Sequence, residues 1–139
     1  MHPWHEIAMS LRGAYLTMHR QADAGFAPYG VTADQFVVLA ALSDGSVLTQ
    51  AQVCRRTYSD SNTIGAMLAL LEGRGLVRRM RHPTDGRART VALTRKGKQV
   101  FAKVWAGGTA FRARMLALFD EAEAEIFLRL LRRLILRSP

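Results

Sequence analysis

The chain has 139 residues, of which 49% are hydrophobic and 22% charged, which fits one globular domain and excludes a disordered segment. Its net charge of +9 favours a polyanionic partner, either nucleic acid or an anionic surface. Cys54 is the single cysteine, so no intramolecular disulfide can form, and a reducing, cytoplasmic location is expected. The first residues lack a signal-peptide pattern, and no apolar run reaches the roughly 18 residues of a membrane span.

The first predicted helix covers residues 3–24, where apolar side chains recur at steps of three and four. Pro3 suits its first turn, and Gly25 is predicted to end it. A loop over residues 26–30 follows. The apolar stripe of this helix consists of Trp4, Ile7, Ala8, Leu11, Tyr15, Met18 and Ala22.

Two capping boxes predict the starts of the next two helices. Thr32 is followed three residues later by Gln35, and Thr49 by Gln52. In each pair the threonine hydroxyl and the glutamine side chain satisfy backbone N–H groups at the helix start. The second helix is mostly apolar, should be well buried and ends at residues 44–46. The third helix is short and ends at residue 56 or 57.

The fourth predicted helix, residues 61–72, has two different faces. Its inward face carries larger apolar residues, and its outward face carries small or polar ones. An outward face of short groups allows close approach to a DNA groove, where serine, asparagine and threonine can hydrogen-bond base edges. The alternative is packing on a neighbouring helix through glycine and alanine. Ser59, Asp60 or Ser61 is expected to cap this helix. The outward residues are Ser61, Asn62, Gly65, Ala66 and Ala69.

Two short strands are predicted next, over residues 76–81 and 90–94, joined by a turn that contains Pro83 and Asp85-Gly86. Nine basic residues and one acid, Asp85, lie between Arg74 and Lys98, which gives this segment a local charge of +8. A basic hairpin next to a helix is typical of a surface that binds a polyanion.

The remaining sequence predicts two long helices. One covers residues 95–118 after a Thr94 cap. Gly107-Gly108 should weaken or bend this helix, because each glycine costs about 1 kcal/mol relative to alanine. The last begins at Asp120, with acidic residues in its first turn and arginines near its end, as the helix dipole favours.

A three-helix unit followed by a basic two-stranded wing is a winged helix-turn-helix. At this level the sequence resembles the MarR family of bacterial transcriptional regulators. The resemblance implies a mainly α, α+β winged-helix fold with a three-helix core and a two-stranded β-wing in residues 31–96. It also implies a homodimer, paired through N- and C-terminal dimerisation helices in residues 1–30 and 97–139. The motifs that carry it are Leu48-Thr49-Gln50-Ala51-Gln52-Val53, Asn62-Thr63-Ile64 with Leu68, Leu71 to Val77, Asp85-Gly86-Arg87, Val91, Leu93-Thr94 and Lys96-Gly97.

By this resemblance the protein is a sequence-specific double-stranded DNA-binding regulator, and a repressor of a palindromic operator. Arg87 would enter the minor groove while Asp85 holds its guanidinium, although a solvated surface pair is the alternative for these two. A nonspecific architectural nucleic-acid-binding protein and a protein–protein interaction module remain the other functions open. The residues expected at DNA are Ser59, Ser61, Asn62, Thr63, Ala66, Asp85, Arg87 and Arg89.

The resemblance also implies a small aromatic effector, although packing in the dimer core is the interpretation we favour for the aromatic residues concerned. Cys54 is interpreted as a small buried hydrophobe rather than a redox sensor. The histidines are scattered and predict no metal site, and no catalytic constellation or cofactor motif is present. Candidates for the effector pocket are Trp4, Arg12, Tyr15, His19 and Tyr29.

Overall fold

The elements follow the order of a helix-turn-helix with a wing. The computed structural model describes residues 2–137, so the outermost residues of the predicted segments 1–30 and 97–139 lie outside it. Its helices are α1 (Pro3–Phe26), α2 (Ala33–Ala41), α3 (Gln50–Thr57), α4 (Ser61–Gly73), α5 (Arg95–Gly107), α6 (Thr109–Leu116) and α7 (Glu121–Arg137). Its strands are β1 (Leu48–Thr49), β2 (Val77–Arg81) and β3 (Arg89–Leu93), and Ala27–Tyr29 forms a 3-10 turn.

Both predicted capping boxes are confirmed. The Thr32 hydroxyl accepts a hydrogen bond from the Gln35 N–H at 3.1 Å, and the Gln35 side chain accepts one from the Thr32 N–H at 3.0 Å. Thr49 and Gln52 make the same reciprocal pair at 3.2 and 2.8 Å. These bonds satisfy backbone donors that have no partner inside the helix, and they therefore fix where α2 and α3 begin.

The wing belongs to a sheet of three strands, not the two that the sequence predicted. The strand order is β1-β3-β2, and both pairings are antiparallel. In β1, Leu48 lies opposite Val91 and Thr49 opposite Thr90. A two-residue strand is too short to show alternation, and its second residue, Thr49, is also the N-cap of α3, so the sequence pattern could not reveal it. Strand β2 begins one residue later than predicted, and β3 begins and ends one residue earlier than predicted.

The hydrophobic core lies within the winged lobe, where α2, α3 and α4 pack with the sheet and with Val104 of α5. Helix α5 is docked tightly onto the turn before β2. The N–H of Thr94 donates to the Leu76 carbonyl at 3.1 Å, and the Gly97 N–H donates to the Thr94 hydroxyl at 3.0 Å. A β-carbon on Gly97 would collide with the Leu76 carbonyl oxygen. The fully buried side chains are Val38, Leu39, Leu42, Val53, Leu68, Leu71, Leu76, Val77, Val91 and Val104.

Three predicted helix ends were wrong. Helix α2 ends at Ala41 rather than at residues 44–46. Helix α1 continues through Gly25 to Phe26, and the left-handed residue is Gly30 (φ 71°), which follows the 3-10 turn. The single helix predicted over residues 95–118 is two helices, because α5 ends at Gly107 and α6 begins after Gly108. The flexible glycine pair ends the helix rather than only bending it.

The described chain forms two compact units, residues 2–106 and 107–137. In the second unit, Asp120 and Glu123 exchange reciprocal hydrogen bonds at the start of α7, as the predicted acidic first turn indicated. Phe119 and Phe127 stack with ring centroids 5.5 Å apart. No residue of α6 or α7 is buried. Among residues 2–137, no helix combines the length and apolar character needed to cross a membrane.

Candidate nucleic-acid interface

The N-terminal end of α4 is fixed by its cap. Asp60 accepts hydrogen bonds from the backbone N–H of Thr63 at 2.8 Å and from the Thr63 hydroxyl at 2.9 Å. The bond from the Thr63 N–H lowers the pKa of the Asp60 carboxyl. The Thr63 hydroxyl therefore donates within the chain, which leaves it only as an acceptor toward an external group.

The outward face of α4 is held in position by the side chains that it buries. Ile64, Leu68 and Leu71 are at most 2% exposed, so the helix cannot rotate without opening the core. Opposite them, Asn62 and Ala66 are exposed, and no described side chain binds the Asn62 amide. This face is exposed, small and polar, as a groove-binding surface requires.

Gln50 of α3 links two parts of this surface, a role that the sequence did not predict. Its side-chain amide donates to the carbonyl and to the hydroxyl of Ser61, at 3.1 and 3.2 Å. Ser61 keeps its own hydroxyl proton for another acceptor. Gln50 also lines a cleft of about 310 Å³ with Arg87 and Arg89, so α3 lies between the start of α4 and the wing. Its contact with Ser61 lies 11 residues away and leaves no local pattern that could have predicted this role.

Ser59 differs from the other predicted DNA-contacting residues. It is half-buried, precedes α4, and donates its hydroxyl to the Thr57 carbonyl at 3.3 Å. The neighbouring Tyr58 is 79% exposed and adopts a left-handed conformation, φ 55°. This conformation is uncommon for a residue other than glycine, and it makes the sharp turn between α3 and α4.

The wing turn is ordered by two side chains. The His82 ring nitrogen Nδ1 accepts from the backbone N–H groups of Thr84 and Asp85, at 3.2 and 3.1 Å. Asp85 in turn accepts from the backbone N–H of Arg87 at 3.0 Å. No ion pair between Asp85 and the Arg87 guanidinium occurs in residues 2–137, so the expected contact is replaced by one to the backbone. A free guanidinium is thereby left at the tip.

The basic residues of the lobe fall into two groups. Arg79 pairs with Glu72 at 3.4 Å, Arg56 with Asp44 at 3.6 Å, and Arg74 donates to Gln35 at 3.2 Å. By contrast, Arg87 and Arg89 are exposed and have no side-chain partner within the described residues. The first group stabilises the lobe, and the second is available to an anion.

The structure brings together two of the five candidate effector residues. Tyr15 and His19 lie with ring centroids 5.6 Å apart, and His19 Nε2 lies 3.1 Å from Asp34 Oδ1. Tyr15 lines a cleft of about 410 Å³ with residues of α2, α4 and the turn between α3 and α4. The other lining residues are Asp34, Val37, Val38, Thr57, Tyr58, Ser59, Thr63, Ile64 and Met67.

The other three candidates lie elsewhere. Trp4 and Arg12 are exposed on α1 and do not line this cleft, and Tyr29 borders a separate depression with Val100 and Lys103. Cys54 is half-buried and packs against the hydrophobic core, in line with its interpretation as a small hydrophobe. Across residues 2–137, no group of three or more histidine, cysteine or acidic side chains could hold a metal ion.

The geometry is that of a winged helix-turn-helix with a basic wing, and comparison with known proteins specifies its family. A model of the MarR family matches residues 29–88. The chain is 32% identical over 105 residues to the transcriptional regulator HosA of Escherichia coli O111:H-, which covers 76% of this chain and 78% of HosA. The chain therefore belongs to the MarR family of transcriptional regulators.

Solved structures show the same fold. The transcriptional repressor CouR, bound to a 23-mer DNA duplex, is similar with a TM-score of 0.81 and 28% identity, over 91% of this chain and 89% of CouR. The PcaV regulator of Streptomyces coelicolor, in complex with its natural ligand, is similar with a TM-score of 0.78 and 27% identity, over 100% of this chain and 95% of PcaV.

Proposed function

We propose that this chain is a homodimeric repressor that binds a palindromic operator in the cytoplasm through α4 and the wing. The observation that carries the proposal is the combination of an exposed, small, polar face on α4 with two arginines, Arg87 and Arg89, that no described acid neutralises. An exposed arginine on a turn suits the negative potential of a narrow minor groove, and short polar side chains suit the major groove.

In this proposal the two surfaces have different roles. Asn62 of α4 reads a base edge, because an amide can both donate and accept toward adenine. Ser61 donates its hydroxyl to a nearby phosphate, with Thr63 and Ala66 beside it. Arg87 enters the minor groove, and Asp85 positions it by holding its backbone N–H rather than its guanidinium. Ser59 supports the turn before α4 through its bond to the Thr57 carbonyl.

The dimer would form through residues 1–30 and 97–139. Large apolar side chains on α1 and on α7 are about half exposed or more, including Trp4 at 53% and Leu136 at 81%. Runs of exposed apolar side chains on a helix are typical of a surface that a second copy covers. Two copies would place their two α4 helices, the recognition helices, at a fixed spacing, as an inverted repeat requires.

A small aromatic effector would bind in the cleft lined by Tyr15 and Tyr58. The cleft contacts both α1 and α4, so an occupant there can favour one orientation of the recognition helix over another. An effector that binds more tightly to the orientation unsuited to DNA lowers the affinity for DNA. The effect can be no larger than the difference between the effector's affinities for the two orientations. PcaV, which was solved with its natural ligand, supports this proposal.

Titration with two duplexes tests the proposal. An inverted repeat, selected from random DNA by the protein itself, is compared with a scrambled duplex of the same length at fixed salt. We expect the inverted repeat to bind about a thousandfold more tightly, because specific sites exceed nonspecific ones by at least this factor. Equal affinities would indicate the architectural function instead, and absence of binding to either duplex would indicate the protein–protein module.

A thermal-shift screen of phenolic acids tests the effector. A phenolic acid that raises the melting temperature of the wild type, and does so less for Tyr15→Ala, supports the cleft. A matched variant, Tyr29→Ala, should respond as the wild type does, because Tyr29 lies outside the cleft. An equal response of all three proteins would contradict the assignment.

A further inference from the structure

The base of the wing places two arginines directly opposite each other. In the antiparallel register of β2 and β3, Arg81 pairs with Arg89. The next pair toward the turn is hydrogen-bonded, because the His82 N–H donates to the Ala88 carbonyl at 3.1 Å. Since hydrogen-bonded and non-hydrogen-bonded pairs alternate, Arg81 and Arg89 occupy the closer, non-hydrogen-bonded position, on one face of the sheet.

This arrangement is unfavourable in the isolated chain. Like charges directly opposite in a sheet repel, and neither arginine has a side-chain partner within the described residues. Two residues earlier on the same strand face, Arg79 is paired with Glu72 of α4 at 3.4 Å. The chain thus neutralises one arginine of this face and leaves the two beyond it exposed and uncompensated.

We propose that Arg81 and Arg89 together bind one phosphate group of the DNA backbone at the base of the wing. Guanidinium groups bind phosphate oxygens through paired, charge-assisted hydrogen bonds, and one phosphate between them would relieve their repulsion. The sheet face that they occupy is the one from which Arg79 reaches α4, so the site lies on the side of the recognition helix. The inference rests on the proposed function, and it adds Arg81 to the DNA-binding residues.

A phosphate contact has a predictable effect on binding. Removing one phosphate contact makes the slope of log affinity against log salt shallower by about 0.9 for each wing that engages DNA. Such a contact carries no base information, so the ratio of affinities for the selected repeat and the scrambled duplex should be unchanged. Because Arg89 still faces the phosphate after a single substitution, we expect the full reduction of the slope for Arg81→Gln/Arg89→Gln and a partial reduction for Arg81→Gln. The affinity ratio should be unchanged in both, and Arg81→Lys should keep most of the slope.

Arg78→Gln is the matched control. Arg78 is on the same strand, is exposed and has no side-chain partner in the described chain, but it pairs with Ala92 and faces the other side of the sheet. Its replacement changes the net charge by the same amount. The proposal requires Arg81→Gln to reduce the slope more than Arg78→Gln does.

The free protein supplies an independent measurement. Because removing one arginine ends the repulsion, Arg81→Gln should raise the melting temperature at low salt, by roughly 1 to 4 °C. Arg89→Gln should give a similar rise, and the double variant should gain little beyond either single one. Added sodium chloride should reduce the difference, because salt screens exposed charges.

The outcomes separate this inference from the proposed function. If the wild type does not distinguish the repeat from the scrambled duplex, the specific repressor is wrong, but the salt slopes on the scrambled duplex still test the phosphate site. If the wild type does distinguish them and Arg81→Gln matches it in affinity and slope, the phosphate site is wrong. A third outcome would also overturn the DNA contact. If the wild type and Arg81→Gln bind the duplexes equally well, but inorganic phosphate stabilises only the wild type, the two arginines bind a free anion instead.

Discussion

The winged lobe and the terminal helices contain the same kinds of apolar residue but bury them very differently. Leu39 and Leu68 of the lobe are 0% exposed, whereas Leu136 of α7 is 81% exposed. None of the residues of α1, α6 or α7 is buried, although α7 is amphipathic along its whole length. The core of the lobe is covered by residues of the same chain, whereas the open apolar faces of α1 and α7 favour a second copy as part of the fold.

The largest expected effect comes from charging an exposed apolar face of α7. Ile126 and Leu130 are one helical turn apart and are 48% and 44% exposed. In Ile126→Glu/Leu130→Glu, burial of two carboxylates in the dimer interface would raise the dimer dissociation constant by about a thousandfold or more. Light scattering should detect monomers, and specific DNA binding should be lost.

The control for this variant is Arg132→Glu, which adds a carboxylate at an exposed position on a different side of α7 from Ile126 and Leu130. It should remain dimeric. A double variant that stays dimeric at the same concentration would show that this face of α7 does not pair the copies.

Within the lobe, the largest effect is expected at Gly97. In Gly97→Ala the new methyl group meets the Leu76 carbonyl, which is backbone and cannot move aside without displacing α5 from the sheet. We expect the free energy of unfolding to fall by about 3 kcal/mol, as for an overpacked core position. Urea denaturation at fixed protein concentration measures this.

Gly73→Ala serves as the comparison, because a methyl group at the end of α4 meets nothing within 4 Å. Its stability should differ from that of the wild type by no more than about 1 kcal/mol. Equal effects of the two substitutions would show that the contact with Leu76 does not restrict residue 97.

The sequence predicted the lobe well, because its signals are local. Capping boxes at Thr32 and Thr49 and the buried side chains of α4 depend on residues within a few positions of each other. The short strand β1 was missed because only its partner β3 defines it. The role of Gln50 was missed for the same reason, since its contact lies 11 residues away in Ser61. Long-range contacts of this kind leave no periodic pattern.

The positions of the terminal helices were predicted in outline, but periodicity could not show which chain covers their apolar faces. An apolar stripe on α1 predicts a buried face without showing whether this chain or another covers it. The family resemblance implied that Asp85 holds the guanidinium of Arg87. The turn instead brings the Asp85 carboxylate to the backbone N–H of Arg87.

A smaller effect distinguishes the two DNA-contacting surfaces of the lobe. Arg87→Ala should weaken binding to every duplex and make the salt slope shallower by about 0.9 for each wing engaged. Asn62→Ala should leave the slope unchanged and reduce only the preference for the selected repeat, by roughly 1–3 kcal/mol. Fluorescence anisotropy over a salt series measures both, and identical profiles of the two variants would contradict the division of roles.

The smallest effect concerns the cap of α4. The pKa of Asp60 is lowered in the folded chain by the Thr63 N–H, so its contribution to stability is present at neutral pH and is lost as pH falls through its folded-state value. Asp60→Ala should therefore melt at a lower temperature than the wild type at neutral pH. The two melting curves should converge in acid, and a difference independent of pH would exclude the charged cap.

We expect the terminal helices to hold two lobes at a fixed spacing, and we expect this spacing to make DNA binding specific. Inserting about 5 base pairs, half a helical turn, between the halves of the selected inverted repeat turns one half-site to the opposite side of the duplex. We expect the affinity then to fall to that of the scrambled duplex. Undiminished affinity for the spaced repeat would show that each lobe binds DNA independently and would contradict this expectation.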